Sequence, residues 1–89
     1  MDKSKDYLTI PAAPFRDREL SLRAVGMMGR MYALSDGGMT DYELCAACRL
    51  NMEDVYEVTG ELSRAGYLTW QGSHFVLREE NEADGKQAV

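Results

Sequence analysis

The chain has 89 residues, 45% of them hydrophobic, with ten Lys and Arg against fifteen Asp and Glu, for a net charge of −5. That length allows one hydrophobic core and buries only roughly 60% of the surface the unfolded chain exposes. No apolar run approaches the roughly 20 residues of a membrane span, and "MDKSKDYLTIPAAP" lacks the apolar stretch of a signal peptide, so a cytoplasmic protein with no membrane partner is expected.

In chain order, Tyr7 to Ile10 offers a short strand stopped by Pro11, and Pro14 keeps the next residues extended. "SLRAVGMMGRMYAL" predicts a first helix near 21–34, capped by Ser21, with Leu22, Val25, Met28 or Gly29, and Tyr32 on its apolar side. Gly26 and Gly29 lower helix propensity, and close approach of another helix is their expected use. Met27, Met28 and Met31 are expected in the core. "SDGG" breaks the chain, since glycines supply the positive φ of a tight connection.

Thr40 and Glu43 form a T-x-x-E capping box for a second helix near 40–49, whose buried stripe is Leu44, Ala47 and Cys48. Asn51 caps a third helix near 52–65. There Val55, Val58, Leu62 and Ala65 make one apolar face, and Gly66 ends it. "YLTW" and "HFVLR" around "QGS" predict a hairpin near 67–78. Residues 79–89, "EENEADGKQAV", have the composition of a solvated acidic tail. The expected architecture is mainly α with a small β-wing: one winged helix-turn-helix domain over 1–78, followed by the tail.

Few residues suggest chemistry. Cys45 and Cys48 form one C-x-x-C with a single His, His74, elsewhere, too few ligands for a structural zinc site in one chain. Asp41 and Glu43 precede the pair and disfavour a reactive thiolate, so two reduced helix cysteines without metal or disulfide are expected. There is no glycine-rich phosphate loop, no metal-ligand spacing and no nucleophile–base set, so neither enzyme activity nor a cofactor is expected.

Several stretches are familiar as a set. "IPAAPFRDRELSLRAVGMMGRMYALSDG", a short helix, and then "LSRAGYL" leading into the wing make residues 7–70 similar to the N-terminal winged-helix domains of phage and plasmid replication initiators, also called replisome organisers. The resemblance implies the fold and an origin in a phage or mobile element. It also implies a DNA-binding third helix followed by a longer C-terminal region for oligomerisation or helicase loading. This sequence departs at both points. The outer positions of its third helix are Glu53, Glu57, Gly60 and Glu61, with Arg64 last, and no longer region follows.

Two functions therefore stand open. In one, Glu53, Glu57 and Glu61 form a row about 6 Å apart that imitates the spacing of phosphates. Tyr56 is then an aromatic anchor, and the partner is a basic nucleic-acid-handling protein. A DNA-mimic inhibitor of the anti-CRISPR kind fits this size and charge. Against it stands an ordinary solvated face. Glu53 and Asp54 complement the helix dipole there, and Glu61 pairs with Arg64. In the other function, a replication-initiator-like protein or transcriptional regulator contacts duplex DNA through Arg16, Arg23, Arg30, Arg49 and Arg64, as a homodimer that gathers enough positive charge.

Overall fold

The computed structural model describes residues 7–35 and 38–78, mainly as helix with one small antiparallel sheet. The elements are α1 (Ala13–Arg16), α2 (Leu22–Leu34), α3 (Asp41–Cys48), α4 (Met52–Ala65), β1 (Leu68–Gln71) and β2 (His74–Leu77). The acidic segment 79–89 and the centre of the "SDGG" connection, residues 36 and 37, lie outside the described residues.

The amino-terminal expectation needs correction. Residues 7–10 form no strand, and Pro14 takes the second position of the single turn of α1 instead of extending the chain. Proline suits a first helical turn because its fixed φ is already helical and its missing N–H has no partner to lose there. Pro14 is buried, and Phe15 and Leu20 pack against the core. Just past α1, Asp17 accepts a hydrogen bond from the Tyr67 hydroxyl at 2.8 Å, tying the chain after α4 back to this turn.

Helix α2 starts where expected, with the Ser21 hydroxyl accepting from the Ala24 N–H, and Met27, Met28 and Met31 are in the core as expected, but the side marked by Leu22 and Val25 is not its buried face. Ala24, Met27, Met28 and Met31 are buried, whereas Leu22 is 89% exposed. The spacing i, i+3, i+4, i+7 fits the observed set, and the run of methionines made two phases possible. Gly26 and Gly29 do not admit a neighbouring helix. A β-carbon on Gly26 would meet nothing within 4 Å, and one on Gly29 would only touch the Phe15 ring.

The capping box of α3 is formed in full, with Thr40 and Glu43 each bonding the other's backbone N–H. Arg49 ends this helix in the left-handed conformation, and a turn of three residues leads to Asn51, which caps α4 through the Asp54 N–H. Val55, Val58, Thr59 and Leu62 of α4 are buried, while Ala65 is exposed and leaves the expected stripe. This inner face packs on α2, α3 and β1 together. Gly66 closes α4 at φ 92°, a value that favours glycine.

The hairpin pairs Leu68 with Leu77 and Trp70 with Phe75 across a two-residue turn at Gly72 and Ser73. The second edge of β2 is taken by Met39, which exchanges both backbone hydrogen bonds with Phe75, at 2.9 and 2.8 Å. Gly38 makes that approach possible, since a β-carbon there would lie 2.7 Å from the Phe75 carbonyl oxygen.

Two stability outcomes follow. Gly26→Ala adds helix propensity on an open, exposed site, so it should stabilise the domain by about 0.5–1 kcal/mol and raise Tm. A lowered Tm would contradict the packing described. The Tyr67 phenol is pushed up to about 12, chiefly by burial and then by its bond to Asp17. Its contribution is therefore present below the unfolded value near 10 and is lost as pH rises through about 12, because the folded state holds a proton the unfolded chain releases. Denaturant melts of the native chain and Tyr67→Phe should diverge below that window and converge above it.

Candidate functional site

Helix α4 turns three distinct sides away from the core, because residues advance about 100° each around its axis. The acidic row does not lie on one of them. Glu53 and Glu57 stand exposed on the outer crest, and neither has a hydrogen-bond or ion-pair partner among the described residues. Glu61 is turned toward α2. One of its carboxylate oxygens accepts the Ser21 N–H at 2.7 Å, and the other accepts the Ser21 hydroxyl at 2.8 Å. The expected Glu61–Arg64 pair is absent, since Ser21 supplies two donors at the open start of a helix. Beside it, Asp54 pairs with Arg23 at 3.4 Å. This flank of α4 is a clamp on α2.

The opposite flank faces α3 and the hairpin. Tyr56 is half-exposed, and its hydroxyl donates to Asp41, the first residue of α3, at 2.5 Å. That bond holds the Tyr56 pKa above its usual value, with burial and the Asp41 charge adding to it. The ring meets Phe75 edge-on, with centroids 6.5 Å apart, and Trp70 meets Phe75 similarly at 4.6 Å. Phe75 is buried, while Tyr56 and Trp70 keep 51% and 48% of their surface exposed. Between them runs an open groove of about 390 Å³, lined also by Asp41, Thr59, Gly60 and Ser63.

Trp70, Phe75 and Asp41 do not stand out in the sequence as parts of a binding site. A two-residue turn at Gly72 and Ser73 puts Trp70 opposite Phe75, so that pair is readable once the turn is recognised. Asp41 lies fifteen positions from Tyr56 and carries no local signal of the contact.

Arg16, Arg23, Arg30, Arg49 and Arg64 are all exposed, and they are spread over α1, α2, the α3 terminus and α4. Arg23 is engaged with Asp54. Arg64 lies along α4, where a β-carbon on Gly60 would be 3.3 Å from one of its guanidinium nitrogens. Cys45 and Cys48 are free, and partial burial raises the Cys48 thiol pKa, with Arg30 opposing. His74 opens β2 with its ring beside the Ser73 hydroxyl. Among the described residues no three His, Cys, Asp or Glu side chains converge as metal ligands would.

No protein-family model, curated protein sequence or solved structure matches this chain.

The clamp separates the three glutamates by stability. Glu61→Ala removes both contacts to Ser21 and should cost about 1 kcal/mol, in the range of a lost helix cap. Glu57→Ala should stay within about 0.5 kcal/mol, as for a surface change. Equal effects in denaturant melts would contradict the different roles assigned to the two carboxylates.

Proposed function

We propose that this chain is a non-enzymatic binding module of the winged helix-turn-helix kind, of phage or mobile-element type, and that the outer side of α4 docks on a basic nucleic-acid-handling protein. The fold reading is supported by the order of α2, α3, a three-residue turn, α4 and a hairpin that serves as the wing. The resemblance read from residues 7–70 to the replication-initiator domains is a second support from the helix entry, the "LSDGG" break and the "AGYL" exit, while the strand it places before Pro11 is not formed. An inhibitor of the DNA-mimic kind, anti-CRISPR-like in its action, is the form of binding module that fits best.

One observation carries the functional reading. Where a DNA-reading helix would present cations, α4 presents the unpartnered Glu53 and Glu57 beside the half-exposed Tyr56. Carboxylates lowered toward a major groove meet the negative field of the phosphates first. A basic protein surface meets them favourably, and the adjoining aromatic rings supply the apolar contact that anchors interfaces. Glu61 belongs to the clamp on Ser21, which reduces the proposed face to Glu53, Tyr56 and Glu57.

The test pairs affinity capture from bacterial lysate, with the captured protein identified by mass spectrometry, with a gel shift on duplex DNA at low salt. Capture of a nucleic-acid-handling protein should be lost in Glu53→Lys/Glu57→Lys, most clearly at low salt, while the native chain leaves DNA unshifted. Duplex binding by the native chain, strengthened by Glu57→Lys, would replace this reading with the DNA-binding one.

A further inference from the structure

Resting on that docking reading, we infer that the groove between α4 and the hairpin is a receptor for an arginine side chain of the partner. The groove joins two features that a guanidinium recognises and few other groups need together. Its walls are the exposed rings of Tyr56 and Trp70, each set against the buried Phe75. The Asp41 carboxylate also lines it, held in place by donation from the Tyr56 hydroxyl and the Tyr42 N–H, one to each oxygen. A planar guanidinium stacks on aromatic faces and directs its N–H groups at a carboxylate, and each oxygen of Asp41 has a further lone pair to offer. A compact ammonium meets the carboxylate but stacks less well.

Gly60 extends the argument. It occupies the middle of α4, where glycine costs about 1 kcal/mol against alanine, and it lines the groove with backbone alone. A β-carbon built on Gly60 would lie 3.3 Å from the guanidinium of Arg64. The chain thus holds an arginine of its own beside Gly60, one of the residues lining the groove, and Glu53 and Glu57 stand on the adjoining crest. An incoming arginine meets Arg64 as a neighbouring like charge. This makes a prediction of sign: removal of Arg64 strengthens binding of a cation, whereas it weakens binding of a nucleic-acid strand stacked on the same rings.

Trp70 is the only tryptophan in the chain and lies in the groove, so its fluorescence reads occupancy directly. The native chain is titrated at low salt with a short blocked peptide of alternating glycine and arginine, its lysine counterpart, and single-stranded oligothymidylate. The arginine peptide should give a saturable change, with affinity about threefold or more above that of the lysine peptide. Asp41→Asn should weaken it about threefold or more, and Arg64→Ala should tighten it about twofold, with circular dichroism confirming the fold of each variant. Tyr56→Phe keeps the ring and supplies a second variant in case Asp41→Asn unfolds α3. It frees the Asp41 oxygen and should preserve the preference for arginine. Equal response to arginine and lysine, weaker binding in Arg64→Ala, or saturation by the oligonucleotide alone would overturn the assignment. Capture of a partner that is sensitive to Glu57→Lys, with Trp70 unmoved by the arginine peptide, would leave the docking reading standing and remove this one.

Discussion

The inner face of α4 is the constraint on which the remaining geometry depends. Val55, Val58 and Leu62 are buried against α2, α3 and β1 at once, so a single helix supplies the common wall of the core. Leu62 is fully buried, and truncation of such a side chain costs about 2–5 kcal/mol, a large part of the stability of a domain this small. With that face fixed, the direction of every other α4 side chain is fixed too. Glu61 and Asp54 fall toward α2 and find Ser21 and Arg23, and Tyr56 falls toward α3 and finds Asp41. The crest that carries Glu53 and Glu57 is what packing leaves uncovered.

The two flanks differ in kind. Toward α2 the contacts are polar and close the start of that helix, where backbone N–H groups lack internal partners. Toward the hairpin the contacts are aromatic and incomplete, since Phe75 is covered while Tyr56 and Trp70 remain half in solvent. The backbone exchange between Met39 and Phe75 sets the depth of that side by seating β2 against the entry to α3. Gly38 permits the approach, so a conformational requirement far from α4 in sequence shapes the groove beside it. In the proposed function one flank keeps the helix in place and the other meets the partner.

What the sequence made legible follows the range of the interactions. The bounds of α4, its Asn51 cap, its Gly66 terminus and the Thr40–Glu43 capping box are each encoded within a few positions, and each is formed as expected. The methionines of α2 are buried as expected, but the Leu22 and Val25 side was misplaced because the methionine cluster satisfies two helical phases. The choice between them belongs to α4 and α3, which bury Ala24 and Met27 and leave Leu22 outside. Residues 7–10 read as a strand by composition, but β2 pairs with β1 on one edge and with Met39 on the other. Pro14 likewise reads as a breaker until its place in a first turn is known. The acidic row was legible as a row and misleading as a surface. Glu61 is matched to Ser21 across forty positions, a contact no local pattern announces.

The docking surface is tested most directly by a map of backbone amide shifts in the isotope-labelled chain, titrated with whichever protein affinity capture identifies as the partner. Docking through α4 should give the largest changes along its outer side from Glu53 to Gly60 and in the hairpin at Trp70 and Phe75, with the exposed side of α2 unmoved. A map centred on Arg16, Arg23 and Arg30, with Tyr56 and Trp70 unperturbed, would contradict it.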